Sequence, residues 1–206
     1  MSILRIAYIL KCNNEIFAIL FRDEKDEFIS ILAENMEDLE SCNFSEEMIC
    51  NIENDFYIID ENGVIKGLTA LGQFCINCGL NRLIIPKIVC DIEVKIIGRD
   101  SFRNLNIETV ILPEGLEKID KRAFKDSKIE YLKIPDSIVV IEEKSFKDCV
   151  NLELVEFGEN LKIIGSSCFY GCRSLTKVLL PEQINNVVEM AVTAFGDTGK
   201  FEVQMI

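Results

Sequence analysis

Phenylalanine recurs in the second half of this chain on a fixed period. Phe102, Phe124, Phe146 and Phe169 stand 22, 22 and 23 residues apart. Pro113, Pro135, Gly158 and Pro181 keep the same period at 22, 23 and 23 residues, and the first three each precede a phenylalanine by 11. A repeat of roughly 20–50 residues means one supersecondary unit copied along the chain, and such units stack into solenoids or arrays. Few other features restrict the fold so strongly.

Five segments align on this period: Leu80–Pro86, Ile107–Pro113, Ile129–Pro135, Leu152–Gly158 and Leu175–Pro181. Each reads L-x-x-L-x-L-P, with Leu, Ile, Val or Phe at the apolar places. The fourth and sixth positions are apolar about a fifth that is free to vary, which is the alternation of a strand buried on one face. Proline has no N–H to donate, so it ends the strand and turns the chain. A second apolar group follows in each unit, as in Leu116 and Ile119, Ile138 and Ile141, or Leu161 and Ile164. The phenylalanine then plugs the coil from the opposite wall. One unit buries too little apolar surface to hold its own residues in order, so neighbours must share a core.

The second half of each unit stands as Ile97-Gly-Arg-Asp-Ser-Phe102, Ile119-Asp-Lys-Arg-Ala-Phe124, Ile141-Glu-Glu-Lys-Ser-Phe-Lys-Asp-Cys149 and Ile164-Gly-Ser-Ser-Cys-Phe-Tyr-Gly-Cys172. Joined to L-x-x-L-x-L-P, this resembles the BspA-like class of leucine-rich repeats over residues 56–206. The resemblance implies an α/β leucine-rich-repeat solenoid, with short parallel strands stacked into a curved sheet. It also implies a surface or adhesion-type role. Three extra residues precede Phe195, which predicts a displaced plug in the last unit. Phe201–Ile206 reads as one more strand closing the stack. Asn62-Gly63 between apolar runs predicts a hairpin over 56–68 that begins the solenoid, and Phe74, 12 residues before Pro86, supports a divergent first unit.

Residues 1–55 lack the repeat. Two apolar runs around Asn13-Asn14 predict a hairpin. Phe28, Ile31, Leu32, Met36 and Leu39 recur at helical spacing, predicting an amphipathic helix near Glu24–Glu40. Ser45 with Glu46 and Glu47 suggests a further short helix. A small α+β capping subdomain over 1–55, hairpin plus helix, is the expectation, because the first coil of a solenoid needs its apolar edge covered. This segment holds 4 Lys+Arg against 13 Asp+Glu, so it carries most of the net charge of −13.

That acidity disfavours nucleic acid and anionic membranes, which draw affinity from clustered Lys and Arg. The chain has no histidine, which removes Ser-His-Asp and Cys-His catalysis and every His-containing zinc site. Nine cysteines, an odd number spread along the chain, do not resemble a disulfide framework and read as core residues of a reduced protein. Cys75-Ile-Asn-Cys78 lacks the further ligands a zinc site needs and falls in an expected turn after Phe74. No phosphate-binding loop or nucleophile elbow appears. No catalytic, metal or cofactor residue is therefore assigned. The first residues lack a leader's layout and no apolar stretch is long enough to span a bilayer, so a soluble cytoplasmic protein is expected, with the cell surface as the location the resemblance implies.

The strand positions that point away from the core carry the functional reading. Glu108, Glu130 and Glu153 form an acidic column, beside columns containing Tyr131 and Leu154, and Ile84, Ile111, Lys133, Glu156 and Leu179. Apolar side chains gathered on a sheet and rimmed by charge mark a protein contact. Tyr131 and Leu154 are the expected anchors, and the glutamates would steer a basic partner. Coverage of these columns by the N-terminal segment or a second copy of the chain is the competing explanation. The expected function is a non-enzymatic protein-interaction module. The alternative is an inhibitor or immunity-type protein whose acidic cap masks a basic enzyme.

Overall fold

Strand alternation and proline stops place a short extended segment in every repeat, and these segments pair in register. The computed structural model describes residues 5–12, 15–22, 28–31, 49–51, 56–77, 80–181, 189–190 and 194–206. Strands β7 (Arg82–Ile84), β11 (Thr109–Ile111), β13 (Tyr131–Lys133), β15 (Leu154–Glu156), β17 (Lys177–Leu180) and β19 (Glu202–Met205) form a six-stranded parallel ladder. The central residues Leu83, Val110, Leu132, Val155 and Val178 are buried, so each pleat turns one side chain into the coil and two outward.

The second apolar group of each unit builds another parallel ladder. It contains β10 (Ile96–Ile97), β12 (Lys118–Ile119), β14 (Val140–Ile141), β16 (Ile163–Ile164) and β18 (Glu189–Met190). The hairpin of β5 (Tyr57–Ile59) and β6 (Val64–Leu68) starts it, β6 pairing parallel with β10. Gly63 takes a φ of 76° in the hairpin turn, the left-handed conformation that glycine adopts without strain. A small antiparallel pair, β8 (Ile88–Val89) with β9 (Ile92–Glu93), leads from the first ladder to β10.

The phenylalanines close the coil. Rings of Phe102, Phe124, Phe146 and Phe169 stack in order, with centroids 5.2, 5.3 and 5.4 Å apart, and all four are fully buried. The spacing is set by the backbone, since adjacent rungs lie about 4.8 Å apart. The amides of Phe102, Phe124, Phe146 and Phe169 donate to the carbonyls of Ala123, Ser145, Cys168 and Ala194 on the next rung, at 2.8–2.9 Å. Two left-handed residues flank each ring: Asp100 and Asn104, Arg122 and Asp126, Lys144 and Asp148, Ser167 and Gly171. Asn, Asp and Gly at the second place tolerate that conformation.

Phe195 corrects the expectation of a displaced plug. Its ring lies 5.0 Å from that of Phe169, 11° from parallel. Ile164 pairs with Met190, and both stand five residues before their phenylalanine. The three extra residues therefore precede β18 and leave the plug in register. Gly158, in the proline place, has a local cause: a Cβ there would sit 2.6 Å from the Pro135 carbonyl carbon and 2.7 Å from the Asp136 Cα. The buried thiols of Cys149 and Cys172 each donate to the carbonyl of a phenylalanine one rung back, Phe124 and Phe146, at 3.2 Å.

One helix was not foreseen. Helix α1 (Ala70–Asn77) begins behind Thr69, whose Oγ1 accepts the Gly72 amide at 3.2 Å as an N-cap. Cys75 and Phe74 fall on this helix, not in a turn, and Cys78 lies outside the described residues.

Contacts divide the chain into two compact units, Met1–Phe56 and Tyr57–Ile206. The first contains β1 (Arg5–Cys12), β2 (Glu15–Arg22), β3 (Phe28–Ile31) and β4 (Ile49–Asn51), ordered β3-β2-β1-β4. Strands β1 and β2 pair antiparallel, as do β2 and β3, while β4 joins β1 parallel. The helix expected near Glu24–Glu40 is contradicted at Phe28–Ile31, where the chain is extended against β2. The rest of that segment, and the short helix expected at Ser45–Glu47, lie outside the described residues.

Candidate protein-binding face

The outer face of the six-stranded ladder is built by the two outward residues of each strand and the residue before it. Register places Thr109 beside Arg82, Tyr131 beside Thr109, Leu154 beside Tyr131 and Lys177 beside Leu154. In the neighbouring column Ile84 lies beside Ile111, and Glu156 lies between Lys133 and Leu179. Every residue singled out in the sequence for this face thus lies on or at the edge of one ladder.

Their environments differ. Tyr131 is 41% exposed and Ile111 38% exposed, whereas Ile84, Leu154, Glu156 and Leu179 are half-buried. The apolar side chains do not form one unbroken column. Lys133 donates to Glu156 at 2.6 Å, and this pair stands between Ile111 and Leu179. The Tyr131 hydroxyl donates to the other oxygen of the same carboxylate at 3.0 Å. Burial, and then the bond to Glu156, push the Tyr131 phenol up, while Glu156 raises the Lys133 ammonium. The hydroxyl therefore stays a neutral donor over a wide pH range, and the aromatic ring is tethered across two strands.

The acidic column is fixed by backbone. The amides of Glu108, Glu130, Glu153 and Thr176 donate in turn to the carbonyls of Asn81, Glu108, Glu130 and Glu153, at 2.7–2.9 Å. All three glutamates are exposed; Glu108 accepts from the Asn81 side-chain amide at 2.7 Å. Like charges one rung apart repel, and no lysine or arginine is ion-paired to Glu130 or Glu153 among the described residues. The column therefore presents an unneutralised acidic edge. At the first strand, the Tyr57 hydroxyl donates to the Ile84 carbonyl at 2.5 Å, which closes part of the β7 edge.

Sequence reasoning missed the tether between Tyr131, Lys133 and Glu156. The Tyr and Lys at positions three and five of one repeat and the Glu at position five of the next were its only signal. Among the described residues no group of three His, Cys, Asp or Glu is placed to hold a metal ion, and no helix is long and apolar enough to cross a membrane.

A family model for the BspA type leucine-rich repeat region matches residues 69–198 in six copies. No curated protein matches the chain. Among solved structures, the pneumococcal vaccine antigen PcpA aligns with a TM-score of 0.52 at 18% identity, over 75% of this chain and 51% of that one. A leucine-rich-repeat protein of T. pallidum aligns with a TM-score of 0.47 at 20% identity, over 71% of this chain and 83% of that one. One from Bacteroides capillosus gives 0.42 at 20% identity, over 73% and 95%. The chain spans about half the length of the pneumococcal antigen, and at this identity the likeness is one of fold.

Proposed function

The chain belongs to the BspA-type leucine-rich-repeat family, and on that premise we propose that it is a non-catalytic protein-binding module whose contact surface is the outer face of the six-stranded ladder. The single observation that carries this reading is the composition of that face: Ile111 and the exposed Tyr131 ring stand on neighbouring strands of a parallel sheet, flanked by Ile84 on one side and by Leu154 and Leu179 on the other. A preorganised surface loses little conformational freedom on binding, and a tyrosine held by its hydroxyl is suited to anchor a contact. The Glu108, Glu130 and Glu153 edge favours a partner that is basic where it meets the rim, through faster encounter and rejection of acidic competitors.

The test is capture from the native cell by the full chain, with bound proteins identified by mass spectrometry. Proteins retained by the wild type should be lost on the Tyr131→Asp, Leu154→Asp double variant, with far-UV circular dichroism unchanged. Because Leu154 is half-buried, Tyr131→Asp alone serves as the second variant. Undiminished capture by both variants would refute the assignment of this face. Replacing Glu108, Glu130 and Glu153 by Lys should slow capture at low salt and have less effect at high salt; equal capture at low salt would refute the basic-partner reading.

A further inference from the structure

The turns between the second ladder and the phenylalanine stack hold a cleft of about 230 Å³, lined by Arg99, Lys121, Arg122, Glu143 and Lys144. Its charge runs against that of the molecule. Four of the five lining residues are cations, in a chain whose net charge is −13. The repeat geometry brings them together. Arg99, Lys121 and Glu143 each stand three residues before a stacked phenylalanine, and Asp100, Arg122 and Lys144 each stand two before. Rungs about 4.8 Å apart make these into two adjacent columns. The second column is left-handed throughout, with φ of 54°, 58° and 60°.

Internal carboxylates neutralise the cleft only in part. Arg122 grips Asp100 through two bonds, at 2.9 and 2.7 Å. Lys121 and Lys144 both converge on the one carboxylate of Glu143, and they hold its proton affinity below the ordinary value, Lys144 most. Arg99 is exposed and makes no ion pair among the described residues. Four cations against Glu143 and Asp100 leave two positive charges without a counterpart.

We propose that this cleft binds a phosphate monoester or free phosphate, a doubly charged tetrahedral oxyanion, with Arg99 as the guanidinium outside the ion pairs and Lys121 and Lys144 as ammonium donors for which Glu143 competes. A phosphate monoester carries about −1.5 to −2 at neutral pH, which matches the unbalanced charge, whereas a sulfate ester carries a single charge. Guanidinium forks match the oxygen spacing of such anions and bind them more strongly than neutral donors do. This inference is independent of the ladder face, from which the lining residues are absent.

Amide shifts of the full ¹⁵N-labelled chain, titrated at pH 8 with phenyl phosphate, inorganic phosphate and phenyl sulfate against sodium chloride of equal ionic strength, test it. Phosphate should give saturating shifts centred on Arg99, Lys121, Arg122 and Lys144. Arg99→Ala should weaken binding about fivefold or more, and Glu143→Gln should tighten it about threefold or more by releasing two ammonium groups. Tighter phenyl phosphate identifies an esterified ligand, and tighter inorganic phosphate a free ion. Chloride reproducing the shifts, phenyl sulfate binding as tightly as phenyl phosphate, or affinity unmoved by both substitutions would each overturn the proposal.

Discussion

Phe146→Leu isolates the contribution of ring stacking to this solenoid. Phe146 is fully buried, with Phe124 at 5.3 Å and 3° on one side and Phe169 at 5.4 Å and 4° on the other. Truncation to alanine would cost about 3–5 kcal/mol through lost transfer energy and a cavity, a large part of the roughly 5–15 kcal/mol that holds a typical domain folded. Leucine retains most of the apolar volume and keeps the variant measurable. What it removes is two ring contacts, about 0.5–1.5 kcal/mol each, with about 1 kcal/mol more for imperfect filling. The expected loss is about 2–4 kcal/mol. Urea unfolding followed by far-UV circular dichroism reads it, since the chain has no tryptophan. Tyr170→Leu is the control: this ring faces outward in the next rung, with the Lys147 ammonium 4.7 Å from its centroid, and its replacement should cost under about 1 kcal/mol. A shallower urea dependence in Phe146→Leu would mean that the two halves of the stack melt separately. If Phe146→Leu cost no more than Tyr170→Leu, the stack would be a by-product of backbone spacing and not a source of stability.

Burial pushes the Cys149 thiol up to about 12 from an ordinary 9.0, and shifts Cys168 and Cys172 upward too. The folded chain then keeps protons that the unfolded chain releases, so this stability is complete below pH 9 and falls as pH rises toward 12, by about 1.4 kcal/mol per unit per thiol. Urea midpoints between pH 8 and 11 should decline, less steeply in Cys149→Ala; a flat wild-type profile would contradict this. Iodoacetamide should modify exposed Cys90 in the folded chain and leave Cys149, Cys168 and Cys172 untouched until urea is added, as read by peptide mass spectrometry. Gly158→Ala should lower stability by about 1–3 kcal/mol, because the new methyl meets the backbone of Pro135 and Asp136; an unchanged melting temperature would refute that contact.

The solenoid was legible because its signal is redundant. Each rung repeats the same apolar places, and an error in one is outvoted by its neighbours. The second ladder was visible only as apolar pairs, since two-residue strands such as Ile96–Ile97 are too short to show alternation. Helix α1 had one local sign, Thr69 three residues before Gly72. Phe28, Ile31 and Leu32 fitted a helical period, but Phe28–Ile31 pairs with β2 instead; β-branched residues favour a pleated surface, and pairing decides what periodicity over a few residues cannot. On the candidate face the positions were legible and their bonds were not. That both Lys133 and Tyr131 reach Glu156 depends on lateral distances that only register and side-chain rotation determine.

The four rungs from Phe102 to Phe169 each turn the corner on two left-handed residues at the same places of the repeat, and each donates its phenylalanine amide to the next rung in the same way. A corner built so uniformly does not depend on which particular neighbour follows. Gene duplication could therefore splice in a unit of 22 residues anywhere along the spine, widening the outer sheet by one strand spacing while both junctions keep contacts they already had. Molecular length in this architecture becomes an integer that evolution can change in single steps, without inventing a new loop.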